Sequence, residues 1–349
     1  MNKNQLITII TFGAFLFTAC TQEVSSKDDV TKKDKKPIEL TDTPPSSPYT
    51  ELESGINGSA GTSGKYVTFG SYPQTILPEK SKITIDESMT VTVGVYTYYK
   101  GSDNGWYAKK FWEGDYRYFK VEPIKWRIVT DDYNGTGKKL LVAENILINF
   151  EYYPGGRDSM RLGKGGGNEP NNYEKSMVRA FLNGIEYTFE ELDNVNTQFV
   201  NRGFLQSAFS EEEQNIIEDT TVINNAKSTN PDGDEKKWND GKNSFASDIT
   251  TLDKIFLLSE EEVTRSDYGF EVYDNSDVKR IRLVTDYAVA NGCSSMENAG
   301  RWWLRSPIEN GSDMKNGAIV RTVDEYGGAN SREETSSFGT GVVPALCVK

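Results

Sequence analysis

The chain has 349 residues and a formal net charge of -13, with 52 acidic side chains against 39 Lys and Arg. That balance excludes nucleic acid and anionic lipid headgroups as partners, because phosphate binding draws on clustered Lys and Arg. Histidine is absent, which removes Ser-His-Asp and Cys-His nucleophile systems, imidazole acid-base catalysis and most catalytic zinc sites together.

At the N-terminus, Lys3 precedes an apolar run from Leu6 to Leu16, followed by Phe17-Thr18-Ala19-Cys20. A positive region, an apolar region and small residues form the layout of a secretory signal. The run falls short of the roughly 20 residues that span a bilayer. Thr18-Ala19-Cys20 resembles the lipobox of bacterial lipoproteins, with Phe17 where an aliphatic residue is usual. The resemblance implies removal of residues 1–19, acylation of Cys20 and a lipid anchor in the bacterial cell envelope. Thr21 follows, where Asp would favour the inner membrane, so the outer membrane or cell surface is the expected location. An ordinary signal peptide ending by chance on a cysteine is the alternative. One acyl chain, at about 0.8 kcal/mol per buried methylene, anchors only marginally, and a diacylglyceryl cysteine supplies two. Residues 20–64 carry KDDVTKKDKK, PPSSP and GINGSAGTSG, a composition that buries no core and predicts a flexible, disordered stalk.

From Lys65 onward the many aromatics, 18 Tyr, 16 Phe and 6 Trp in the whole chain, predict a globular domain over 65–349. Tyr66 to Gly70 is strand-like and is expected to stop at Tyr72-Pro73. Ile124, Trp126 and Ile128 alternate with polar residues, DDYNGTG follows, and Leu140 to Val142 resume an apolar run, a hairpin pattern. The Gly-rich PGGRDSMRLGKGGGNEPNN matches no phosphate-binding spacing and reads as a surface loop. Tyr173, Met177, Val178, Phe181 and Leu182 share a helical face, with Asn172 as cap and Asn183-Gly184 as stop. Capping boxes SEEE begin helices at Ser210 and Ser259, with the strand KIFLL between them. TDYAVANG is helical. RWWLR, AIVRTV and Gly341 to Val348 are strands. Strands, then helices, then a strand-rich end predict an α+β class. With Cys20 lipidated, Cys293 and Cys347 remain: either a disulfide, stabilising by roughly 4 kcal/mol on the loop-entropy model, or two buried thiols.

Taken together, FGSYPQ (69–74), PIKWRIV (123–129), FLNG (181–184), AFSEEE (208–213), DKIFLLSEEE (253–262), GRWWLRSP (300–307) and GVVPAL (341–346) resemble an uncharacterised bacterial and phage domain family. Its signatures are FGxYPQ, PIxWRVL, WWLRSP and GVRPAL, and Val343 stands where that family carries Arg. The resemblance implies a C-type-lectin-like fold, in the version shared by formylglycine-generating enzymes and the variable proteins of diversity-generating retroelements. It also implies a ligand-binding face in the C-terminal loops, residues 308–340. The candidate contacts there are Asn310, Ser312, Asp313, Asn316, Arg321, Asp324, Tyr326, Asn330, Ser331 and Arg332, side-chain types that suit adaptable recognition. Ordinary solvated turn residues are the plain alternative.

Glu169-Pro170-Asn171 and Trp238-Asn239-Asp240 spell the calcium and sugar motifs of animal C-type lectins, but a helix intervenes between them and their spacing is wrong. A weak calcium site near Asp232 and Asp234 is the one metal candidate, and no cofactor is expected. The spacing of Cys293 and Cys347 does not match the paired cysteines of formylglycine-generating enzymes. Asp253 with Glu260, Glu261 or Glu262 would serve carboxylate hydrolysis, yet a capping box accounts for Glu262. One of Trp302 and Trp303 is expected in the core. The expected function is a non-catalytic surface lipoprotein that binds a protein or glycan ligand. The alternatives are a carboxylate-dependent envelope hydrolase and a structural envelope lipoprotein.

Overall fold

Short alternating segments separated by Gly- and Asn-rich turns pair into sheets more readily than they extend into helices. The computed structural model describes residues 50–52, 65–154, 170–189, 194–224, 250–272, 276–307 and 319–349, all within one unit, Pro44–Lys349. In chain order the first elements are strands β1 (Thr50–Leu52), β2 (Lys65–Ile76), β3 (Ile85–Val93), β4 (Tyr96–Gly101), β5 (Trp106–Trp112), β6 (Asp115–Thr130), β7 (Lys139–Ala143), β8 (Asn145–Ile146) and β9 (Ile148–Asn149). Helix α1 (Met177–Asn183), β10 (Tyr187–Phe189), β11 (Asn194–Asn196), α2 (Phe204–Ala208), α3 (Glu211–Ile216), β12 (Thr220–Ile223), β13 (Thr250–Asp253), β14 (Ile255–Phe256) and α4 (Glu260–Val263) follow. The chain ends with β15 (Leu283–Val284), α5 (Asp286–Ala290), β16 (Trp302–Pro307), β17 (Ile319–Val323), β18 (Ser331–Glu334), β19 (Gly341–Val342) and β20 (Ala345–Val348).

The expected α+β, C-type-lectin-like class is corrected here. Strands dominate, and among the described residues no α-helix exceeds the 7 residues of α1. The capping boxes at Ser210 and Ser259 start helices as expected, but the helices are only one or two turns long: α4 ends at Thr264 directly after its capping box. A nine-stranded sheet runs β14-β20-β7-β6-β5-β4-β3, with β2 and β1 attached through β6. A five-stranded sheet runs β18-β17-β16-β19-β9. β1 lies inside the segment read as a stalk and pairs antiparallel with β2. β2 also continues through Tyr72-Pro73, because the pairing shifts register beside Pro73, where a missing N–H is tolerated. The cap of α1 is Ser176, whose hydroxyl accepts from the Arg179 amide, not Asn172.

Buried indole N–H groups bond to backbone carbonyls far away in sequence. Trp126 donates to the Phe69 carbonyl at 2.7 Å, Trp303 to that of Phe150 at 2.8 Å and Trp302 to that of Arg280 at 3.1 Å. Both Trp302 and Trp303 are fully buried; the expectation of one inward ring fails because β16 lies inside its sheet and is covered on both faces. The motif glycine Gly70 has φ +68°, and a Cβ there would lie 2.7 Å from the Ala208 carbonyl oxygen. Its amide donates to Glu213 of the SEEE box at 3.2 Å, so FGSYPQ and AFSEEE meet in space.

The other SEEE box holds the buried charge of the core. Arg305 on β16 donates through Nη1 to Glu262 Oε2 at 2.5 Å and through Nη2 to Oε1 at 2.8 Å, the two-pronged geometry a guanidinium favours. Its remaining donors reach the carbonyls of Leu257 at 2.7 Å and Ile223 at 3.1 Å. Glu262 also accepts from the Tyr133 hydroxyl at 2.7 Å and the Ser259 amide at 2.8 Å. Burial pushes the Glu262 carboxyl up, but the charge and hydrogen bonds of Arg305 outweigh it and hold the carboxyl below its usual range.

Removing one partner strands a buried charge, so Glu262→Gln is expected to destabilise by about 3–5 kcal/mol, read by urea unfolding. Because the folded value is lowered, the pair's contribution is fully present above the ordinary carboxyl value of about 4.3. It is lost as pH falls through the lower folded value. A pH series should show that acid loss in the native protein and a smaller one in Glu262→Gln; identical profiles would contradict the assignment.

Candidate functional site

The β17–β18 hairpin is the part of the expected binding face that the described residues include. β18 forms the end of its sheet, and Arg332 faces Arg321 across the pair. Arg321 is held from two sides: its Nε lies 3.1 Å from Glu260 Oε2, and Nη1 donates to the Asn330 carbonyl at 2.9 Å. Glu260 is buried, and its amide donates to the Ser306 hydroxyl at 2.9 Å. The hairpin is thereby fastened to the frame around Arg305.

Asp324 organises the turn, and its Oδ1 accepts from the amides of Tyr326 at 2.9 Å and Gly328 at 2.8 Å. Gly327 has φ +82°, and a Cβ there would lie 2.1 Å from the Asp277 carbonyl oxygen, so only glycine fits. Behind the turn, Arg301 pairs with Glu325 at 3.5 Å and with Glu333. Tyr326 projects outward at 61% exposure, and its hydroxyl donates to Met296 Sδ at 2.9 Å. Met296 and Phe338 are exposed as well. Arg332 is exposed, with no ion pair among the described residues.

The structure therefore gathers Arg321, Asp324, Tyr326, Asn330, Ser331 and Arg332 into one hairpin and divides them by role. Arg321 and Asp324 hold the loop, whereas Tyr326 and Arg332 are exposed. Asn310, Ser312, Asp313 and Asn316 lie outside the described residues, as do Cys20, Asp232, Asp234, Glu169 and the Trp238-Asn239-Asp240 string. Sequence reasoning missed Arg301 and Met296, and weighed Glu260 only as a hydrolytic carboxylate and not as the anchor of Arg321. Arg301 sits inside RWWLR, a motif whose pattern speaks only of a strand.

The carboxylates considered for hydrolysis are engaged. Arg179 Nε grips both oxygens of Asp253 at 2.9 and 3.1 Å, Arg321 meets Glu260, and Arg305 meets Glu262. Burial, and then the neighbouring Glu262 charge, raises the Glu261 carboxyl. Among the described residues no cluster of His, Cys, Asp and Glu has the geometry to hold a metal ion.

Residues 136–349 match the family model described as "Domain of unknown function (DUF6273)". The chain belongs to this family. The matched region contains the Arg305–Glu262 pair and the β17–β18 hairpin, whereas FGSYPQ and PIKWRIV precede it. No curated protein and no solved structure matches the chain. In this DUF6273 protein Val343 is fully buried.

Cys293 and Cys347 are free and buried. Cys293 Sγ lies 3.1 Å from where a Cβ of Gly341 would be, and Cys347 sits on β20 between β14 and β7. Burial pushes each thiol up to about 12, with the Glu325 charge adding to the effect at Cys293. Neither thiol should react with Ellman's reagent at pH 8 in the native protein, and both should react in denaturant without reductant. Failure of both to react in denaturant would place them in a disulfide.

Proposed function

We propose that this protein is a non-catalytic binding protein, displayed at the bacterial cell surface by an acylated Cys20, that recognises a protein or glycan ligand through the β17–β18 hairpin. The observation that carries the reading is the division of labour in that hairpin. Arg321 and Asp324 are spent on holding the loop, and Tyr326 and Arg332 face solvent on a backbone fixed to the buried frame. A fixed loop that presents Tyr and Arg loses little conformational freedom on binding, and these two types dominate binding hot spots. Against a hydrolase, the carboxylates Asp253, Glu260 and Glu262 are each committed to an arginine. Among the described residues no helix is long and apolar enough to cross a membrane; the anchor in this reading is the lipid at Cys20.

The full chain in detergent, probed on protein and glycan arrays, should retain a ligand. Tyr326→Ala and Arg332→Ala should each weaken retention about tenfold or more, the loss expected at a hot spot, with an unchanged melting temperature. Retention of no ligand, or of one insensitive to both substitutions, would overturn the proposal. For the anchor, mass spectrometry of the membrane-extracted protein should find acylated Cys20 at the mature N-terminus, and Cys20→Ser should move the protein to the soluble fraction. An unmodified thiol at that position would rule the anchor out.

A further inference from the structure

The strands β3 to β6 form a meander that precedes the DUF6273 region, and its two faces are both aromatic. Register separates them. Tyr98, Ala108 and Phe119 lie side by side on the inner face and are buried in the core. The outer face takes the alternate positions: Tyr99 on β4, Tyr107, Lys109 and Phe111 on β5, and Tyr116, Tyr118 and Lys120 on β6.

The outer rings form a continuous strip. Phe111 and Tyr116 are directly opposed, edge to face at 5.4 Å, and remain 57% and 58% exposed. Tyr99 and Tyr118 make a second edge-to-face pair at 6.2 Å. The Lys109 ammonium bridges the pairs, 4.8 Å from the Tyr116 ring and 5.7 Å from that of Tyr118. Tyr107 is fully buried and Tyr99 and Tyr118 are half-buried, so the open part of the strip is Phe111 and Tyr116 with the edges of the Tyr99 and Tyr118 rings. The inner face fills the core without Phe111 and Tyr116, and an exposed aromatic patch of this kind marks an interaction surface.

The chemistry of the patch selects its occupant. Its two cations are neutralised internally, Lys109 by Glu87 at 2.7 Å and Lys120 by Asp103 at 2.9 Å. A polyanion would find no free positive charge, which argues against nucleic acids and acidic polysaccharides. The outward positions of β4, β5 and β6 in this strip carry aromatic, Thr and Lys side chains and no aliphatic one, unlike the apolar centre of an obligate protein interface. What remains is a row of phenyl and phenol rings in edge-to-face pairs, each pair offering one ring face, fringed by hydroxyl, carboxylate and ammonium groups. A pyranose ring with equatorial hydroxyls is complementary to it, because its axial C–H bonds form an apolar face and its rim bears hydroxyls. We infer that the outer face of β4–β6, centred on Phe111, Tyr116, Tyr118 and Tyr99, is a binding site for a neutral, β-linked glycan. Sugar rings stack on Phe111 and Tyr116, and their hydroxyls bond to Glu87, Lys109 and the Tyr118 hydroxyl.

This site is separate from the β17–β18 hairpin, and its test separates the two. Isothermal titration of the full chain in detergent with cellohexaose and with chitohexaose should detect binding of at least one. The Phe111→Ala/Tyr116→Ala double variant should bind at least tenfold more weakly, with an unchanged melting temperature because both rings are exposed. Tyr326→Ala should leave this affinity unchanged. Binding of neither hexasaccharide, or binding indifferent to the double substitution, overturns the inference. So does self-association of the native protein that the double variant abolishes, which would assign the strip to a contact between two copies of the chain.

Discussion

A guanidinium and a carboxylate taken out of water together set the conditions for the rest of this fold. Arg305 and Glu262 are both fully enclosed, and either one alone would be far costlier to bury than the pair. Each therefore requires a complete shell of partners, and the shell draws in distant parts of the chain. Tyr133 comes from the turn after β6, Ser259 from the start of α4, Ile223 from β12 and Leu257 from the segment after β14. The two motifs that carry these charges, WWLRSP and SEEE, are thus two halves of one object.

From that object the hairpin takes its position. Ser306 follows Arg305 and Glu260 lies two residues before Glu262; the Ser306 hydroxyl accepts from the Glu260 amide, and the Glu260 carboxylate meets Arg321. The exposed residues of the β17–β18 turn accordingly stand on a base whose own groups are satisfied, so changes at Tyr326 or Arg332 leave the base intact. The meander β3–β6 achieves a similar separation by strand alternation: one face is spent on the core and the other is left for solvent or a ligand.

Much of the fold was legible wherever a local rule acts alone. The SEEE boxes at Ser210 and Ser259 start helices where expected, Gly184 ends α1 in the left-handed conformation, and Trp302–Pro307 and Ile319–Val323 are strands. Helix length was not legible, because a cap fixes where a helix begins and tertiary packing decides how far it runs. The α+β reading failed for that reason. The meander over residues 85–112 escaped notice because apolar-polar alternation is the signature of a half-buried strand, and here aromatic rings stand on both faces. At the hairpin, the residue types pointed to the loop, but which arginine holds and which is free depends on Glu260, far away in sequence.

The central claim is that the Arg305–Glu262 centre opens only when the whole domain does, while the hairpin turn opens independently. Native-state hydrogen exchange read by mass spectrometry or NMR tests it directly. The amides of Ser259, Glu262 and Arg305, which bond to Glu262, Ser259 and the Leu258 carbonyl, should exchange only with the free energy of global unfolding. Those of the 324–330 turn should exchange at a lower one. Exchange of the three core amides through a local opening well below the global value would contradict the account.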